Sequence, residues 1–156
     1  MGKTRELKDH EDVWTYSQRL KSTLPYVPTK NLLTAGERRF FHCGLKPAVG
    51  DRYLISFKVR LADVITVDKW EGKYGRKIAK KHLDFVLTTP KTIRIVAAVE
   101  LNDMTHDAVD RQQRDAFVSD ALRAAEIPFV TFPIYRRYDR EKIRRHIMTA
   151  INGFRS

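Results

Sequence analysis

The sequence has a single cysteine, Cys43, in 156 residues. A lone thiol excludes an internal disulfide, and with five scattered histidines it excludes a Cys-rich zinc site. Cys43 is expected to fill core space, as free cysteines commonly do. Long apolar runs are missing too. The longest uninterrupted one, Ile95-Val96-Ala97-Ala98-Val99, spans five residues, whereas a membrane helix needs about 20. The start, Met1-Gly2-Lys3-Thr4-Arg5-Glu6, lacks the apolar stretch of a signal peptide, and Glu6 stands where a myristoylation signal needs Ser or Thr. These absences point to a cytoplasmic protein with no membrane partner. Acids are scarce: 19 Asp and Glu face 30 Lys and Arg, a formal net charge of +11. So basic a domain commonly meets a polyanion.

What is present suffices for one core. The length is that of a single domain, typically about 100 to 150 residues, and 42% of residues are hydrophobic. Residues 1–33 carry Pro25 and Pro28 and no sustained periodicity, so they read as an N-terminal arm. One helix is expected near Asp12 to Leu20, and the arm is a candidate contact for a protein partner. Residues 34–156 form the domain. Thr34-Ala35-Gly36-Glu37 has capping-box spacing and opens a helix expected to end near Lys46, before Pro47. In Tyr53 to Leu61, Ile55, Phe57, Val59 and Leu61 alternate with Ser56, Lys58 and Arg60, which predicts a strand with one buried face. Residues 62–81 read as a loop marked by Trp70, Gly72 and Gly75 and basic at its far end. A strand at Leu83 to Leu87 turns through Thr88-Thr89-Pro90-Lys91 into the run Ile93 to Leu101. That run is apolar on both faces from Ile95 to Val99, so it belongs in the middle of a sheet.

Val118, Ala121, Leu122 and Ala125 recur at helical spacing within a helix expected from Asp107 to Ala125. A short strand, Ile127 to Phe132, leads to a last helix from about Asp139 with Ile143, Ile147, Ile151 and Phe154 on one stripe. The order is helix, three strands, helix, strand, helix.

The positive charge is unevenly spread. Arg52 to Lys81 hold nine Lys or Arg against three acids, and Arg136, Arg137, Arg140, Lys142, Arg144 and Arg145 form a second cluster. Between Glu100 and Asp120 the balance reverses, with six acids against Arg111 and Arg114. One reading is of solvated faces. The other is of basic flanks that hold phosphates around an acidic centre that holds a cation, an arrangement suited to metal-assisted phosphodiester cleavage.

Two acids interrupt otherwise apolar strands: Asp84 in Leu83-Asp84-Phe85-Val86, and Glu100 after Val99. A carboxylate taken from water costs several kcal/mol unless paired or metal-bound. Mg²⁺, a hard cation that takes oxygen ligands and keeps waters, offsets that cost; so would a nearby Lys or Arg. Asp63 is expected to order a loop or to pair with a basic neighbour.

Five segments occur in an order that resembles one bacterial group: Glu37-Arg38-Arg39-Phe40, Val59-Arg60-Leu61-Ala62-Asp63-Val64, Lys81-His82-Leu83-Asp84-Phe85, Val99-Glu100-Leu101-Asn102-Asp103-Met104-Thr105-His106, and Arg111-Gln112-Gln113-Arg114-Asp115-Ala116-Phe117. The group is domain-of-unknown-function family 2726, similar to very-short-patch-repair-type endonucleases of the restriction-endonuclease-like PD-(D/E)XK superfamily. The resemblance covers about residues 33–135. It implies an α/β core of a helix, three antiparallel strands, a helix and a strand, here with an added C-terminal helix.

It also implies a nuclease acting on DNA, with Asp84 and Glu100 as ligands of Mg²⁺, for which Mn²⁺ can substitute. A Lys two residues after the Glu usually completes the motif. Here that place is Asn102, in a segment that the related family writes Glu-Leu-Asp-Asp-x-Ser-His. Asn cannot carry charge. Lys80 or Lys81 can supply a migrated cation, and His106 can serve as general base, phosphate contact or helix cap. Glu37 has two roles open, beside the metal or in the capping box. Asp103 is a further possible ligand or helix-start residue. Lys73, Arg76, Lys77, Lys80, Lys81, Arg136 and Arg137 are the expected nucleic-acid contacts. The alternative is a module of the same fold that binds nucleic acid or a protein without cutting.

Overall fold

A computed structural model describes residues 24–102 and 108–154, with the backbone alone for 108–115. The chain divides into two compact units, residues 1–31 and 32–156. Of the first, residues 24–31 are described; they are irregular and exposed. The helix expected at Asp12 to Leu20 lies outside the described residues.

The second unit is a mixed α/β layer structure around a four-stranded sheet. Its strands are β1 (Leu54–Arg60), β2 (His82–Thr88), β3 (Ile95–Asn102) and β4 (Phe129–Pro133), in that spatial order. β1, β2 and β3 pair antiparallel, and β4 joins β3 in parallel. The parallel step needs a crossover, supplied by the long helix between β3 and β4. β3 is central, and Val96 to Val99 are buried as their two-sided apolar character requires.

Helices cover both faces. One core packs Phe85, Leu87, Ala97, Val99, Val130 and Phe132 of the sheet against Phe40, Leu45, Ile143, Ile147 and Ile151. Phe40 anchors it, with its ring 5.7 Å from Phe85, 5.3 Å from Phe132 and 5.0 Å from Tyr138. The second core packs Val86 and Ala98, on the opposite face, against Leu61, Ile78, Val118 and Leu122. Leu33 is buried in the first core, so the domain begins before the end of the expected arm.

The first helical run begins with α1 (Ala35–Phe40), capped by Thr34, whose hydroxyl accepts from the Glu37 amide at 3.3 Å. It does not stop before Pro47. A widened π turn spans Phe41–Leu45, with the Lys46 amide bonding the Phe41 carbonyl, and α2 (Lys46–Val49) continues the run. Pro47 falls in the first turn of α2, where its missing N–H costs least. Gly44 faces inward, where a Cβ would lie 2.8 Å from Ile143 Cδ1, so the helices meet closely there. With Phe40, Gly44, Leu45 and Ala48 taking the inner positions, Cys43 points out and is exposed rather than buried.

β1 departs from single-faced alternation. Ile55 and Phe57 pack on the first core, but Val59 and Leu61 belong to the second. The change of face falls at Lys58, which has φ +51. A left-handed residue inside a strand re-aims the side chains after it, as bulges do.

The expected basic loop contains a helix, α3 (Lys73–Ala79), which buries Ile78. Gly75 is required there, because a Cβ would collide with the Trp70 carbonyl. α4 (Ala108–Ala124) buries Val118 and Leu122, while Ala125 is exposed beyond its end. α5 (Arg140–Gly153) is capped by Asp139, whose carboxylate accepts from the Glu141 and Lys142 amides. Ile143, Ile147 and Ile151 are buried as expected; Phe154 lies past the helix and is exposed.

Candidate acidic cleft and basic surface

The two strand carboxylates line the same cleft, and the strand register sets them on neighbouring strands. The β2–β3 register pairs Phe85 with Val99, so one step further Asp84 faces Glu100. Directly opposite residues of an antiparallel pair share a face. In the β1–β2 register Lys58 falls opposite Asp84, between the pairs Phe57 with Phe85 and Val59 with Leu83. Lys58, Asp84 and Glu100 therefore form a row across three strands, which Glu37 joins from α1.

The Lys58 ammonium bridges two carboxylates, donating to Glu37 Oε1 and, at 2.9 Å, to Asp84 Oδ1. The second Asp84 oxygen accepts from the Leu101 amide at 3.0 Å. The second Glu37 oxygen accepts from the Thr34 amide at 2.7 Å. Glu37 thus completes the capping box, one of the two roles the sequence left open, while its other oxygen accepts from Lys58. The Glu37 side chain is 9% exposed, Asp84 17% and Lys58 31%. Burial alone would raise the Glu37 carboxyl. The Lys58 ammonium and Thr34 outweigh it and hold the group below its ordinary value. Burial likewise works to lower the Lys58 ammonium, but Glu37 and Asp84 reverse this and raise it.

Glu37 and Asp84 line this cleft of about 730 Å³ together with Arg39, Lys81, Glu100 and Asn102, while Lys58 lies outside its lining. Five of the six expected catalytic residues thus come together; the sixth, His106, lies outside the described residues, as does Asp103. Among the described residues no three His, Cys, Asp or Glu side chains form a ready-made metal cage. Glu37 and Asp84 fit one cation, since oxygens of both bond a single Lys58 nitrogen, and Asp84 and Glu100 line the same cleft. A two-carboxylate site completed by water is a manner in which Mg²⁺ is commonly held.

Lys81 also lines a second, basic depression of about 650 Å³ with Lys73, Arg76, Lys77 and Lys80. This surface is therefore continuous with the acidic cleft through one side chain. Lys80 lines the basic depression and not the cleft. Lys77 lies 5.0 Å over the Phe117 ring. Arg136 and Arg137 are exposed beyond β4; Arg137 lines a separate hollow with Lys142 and His146 and does not reach the cleft. Asp63 pairs with Arg60 at 2.7 Å, as the sequence suggested, and both are exposed.

Lys58 is the residue that sequence reasoning missed. Its place in an alternating strand marks it as an outward polar residue, and only the hairpin register, pairing Phe57 with Phe85, sets it opposite Asp84.

The fold and cleft define a mixed α/β protein with two half-buried sheet carboxylates and one buried helix carboxylate, bordered by a basic surface. The family model described as "Protein of unknown function (DUF2726)" matches residues 29–151, and the chain belongs to that family. No curated protein and no solved structure matches it. Among the described residues no helix is long and apolar enough to cross a membrane.

Proposed function

We propose that the protein processes DNA as a Mg²⁺-dependent phosphodiester-cleaving nuclease with a restriction-endonuclease-like core. The observation that carries this reading is the convergence of Glu37, Asp84 and Glu100 in one cleft that Lys81 joins to a cationic surface. The order of helix, three antiparallel strands, helix and parallel strand agrees with it.

Asp84 and Glu100 hold the metal, and Mn²⁺ can take its place. When bound, the metal supplies Lewis acidity toward the phosphate and lowers the pKa of an attacking water. Glu37, fixed by its bond to the Thr34 amide, presents one oxygen beside Asp84. Lys73, Arg76, Lys77 and Lys80 draw in the backbone, and Lys81 holds it where the basic surface meets the cleft. Asn102 offers a neutral amide hydrogen bond and no charge.

A second reading, binding without cutting, is favoured by Asn102 and by the Lys58 ammonium lying between two of the carboxylates. Incubating plasmid DNA with the protein and Mg²⁺ or Mn²⁺, beside Asp84→Ala and Glu100→Ala, separates the two. Nuclease action gives nicking or linearisation that falls on the order of a thousandfold or more in both variants. Retained binding without cleavage by the parent selects the second reading.

A further inference from the structure

We infer that Lys58 is a tethered cation that competes with the divalent metal for the carboxylates of the cleft. The inference rests on the proposed metal site and adds a residue that site does not require. Its first support is placement. The ammonium touches one oxygen of Glu37 and one of Asp84, and Asp84 is one of the two proposed metal ligands. Nζ and a divalent ion cannot both sit at contact distance from the same Asp84 oxygen, and like charges repel.

The second support is the backbone. Lys58 has φ +51 in the interior of a strand, a left-handed conformation that a residue with a Cβ adopts only under constraint. Glycine would adopt it freely. A strained residue persists where its surroundings determine it, and here two carboxylates grip the side chain. The third support is charge balance. In the absence of metal, Glu37 and Asp84 would face each other inside a partly buried cleft, and Lys58 neutralises that repulsion. Metal entry must displace the ammonium toward the open side, where the side chain is already 31% exposed. The cost of that displacement weakens metal binding.

The test measures Mn²⁺ binding directly, from the electron paramagnetic resonance of the free ion, on the full chain, Lys58→Gln, Lys58→Met and Asp84→Asn. Circular dichroism establishes that each is folded, and the second Lys58 variant guards against failure of the first. The expected result is that both Lys58 variants bind Mn²⁺ about tenfold or more tightly than the parent, while Asp84→Asn loses binding. If the parent binds and the folded Lys58 variants bind equally or more weakly, competition is overturned and the metal site stands. If neither the parent nor the Lys58 variants bind at millimolar Mn²⁺, the metal site fails and the competition with it.

Discussion

The molecule organises charge in two ways within a short span. At the acidic cleft, Lys58 is held by Glu37 and Asp84, and each of those acids has a second hydrogen bond from a backbone amide. On the neighbouring surface, Lys73, Arg76, Lys77, Lys80 and Lys81 have no acid partner among the described residues. The first arrangement fixes geometry and is shielded from salt by burial. The second fixes little and projects a field, which salt screens over about 10 Å at 0.1 M. The contrast separates positioning from attraction, so the two regions should respond to different perturbations.

The largest effect is expected in the cleft. Replacing Asp84 with Ala should slow plasmid cleavage at saturating Mg²⁺ on the order of a thousandfold, the scale of losing a ligand of the metal that stabilises charge at the phosphate, with little change in DNA affinity. An equal loss of cleavage and affinity would erase the distinction between the two regions. The quadruple substitution of Lys73, Lys77, Lys80 and Lys81 with Ala should do the reverse. Affinity should fall on the order of tenfold or more at low salt, and the dependence of log K on log salt should flatten by about 0.9 for each phosphate no longer neutralised. An unchanged salt slope would remove this surface from the interface.

A pH prediction sharpens the cleft side. Because Glu37 titrates below its ordinary value in the fold, its contribution to stability is present above about pH 4.3, the usual glutamate value, and disappears as the pH falls through the lowered one. Without metal, thermal unfolding of Glu37→Gln between pH 3 and 6 should therefore show a shallower acid loss than the parent. Parallel curves would mean that Lys58 does not stabilise this carboxylate.

The smallest effect concerns strain. Lys58→Gly and Lys58→Ala both lose the ammonium, but only Ala keeps the steric cost of φ +51. The Gly variant should be the more stable by up to about 1 kcal/mol in urea unfolding. The opposite order would show that the backbone at this position is unstrained.

That Asp84 and Glu100 deserve to be considered together was legible because each breaks a run of apolar residues, and a carboxylate in such a place needs a reason; the structure sets both in one cleft. The central position of β3 was legible for the same cause, since Val96 to Val99 are apolar on both faces. Three features were not. α3 has a single buried large apolar anchor, Ile78, over two turns, too few for a period to show among three cations and a glycine. The π turn at Phe41–Leu45 carried the first helical run past Pro47, and no side-chain pattern announces an extra residue in a turn. The bend at Lys58 was hidden because lysine neither favours φ above zero nor breaks the alternation around it. The residue was visible; the backbone that aims it was not.

That bend has an effect on the outer side of the sheet as well. β1 is an edge strand, with β2 on one side and no strand of the described residues on the other, and Leu54 on it is exposed. A straight edge of this kind offers its open amides and carbonyls to the edge of another molecule and invites strand-to-strand aggregation. A left-handed residue in its middle breaks the flat ladder a second chain would need. The lysine drawn inward by two carboxylates thereby also makes this edge a poorer template for a second chain.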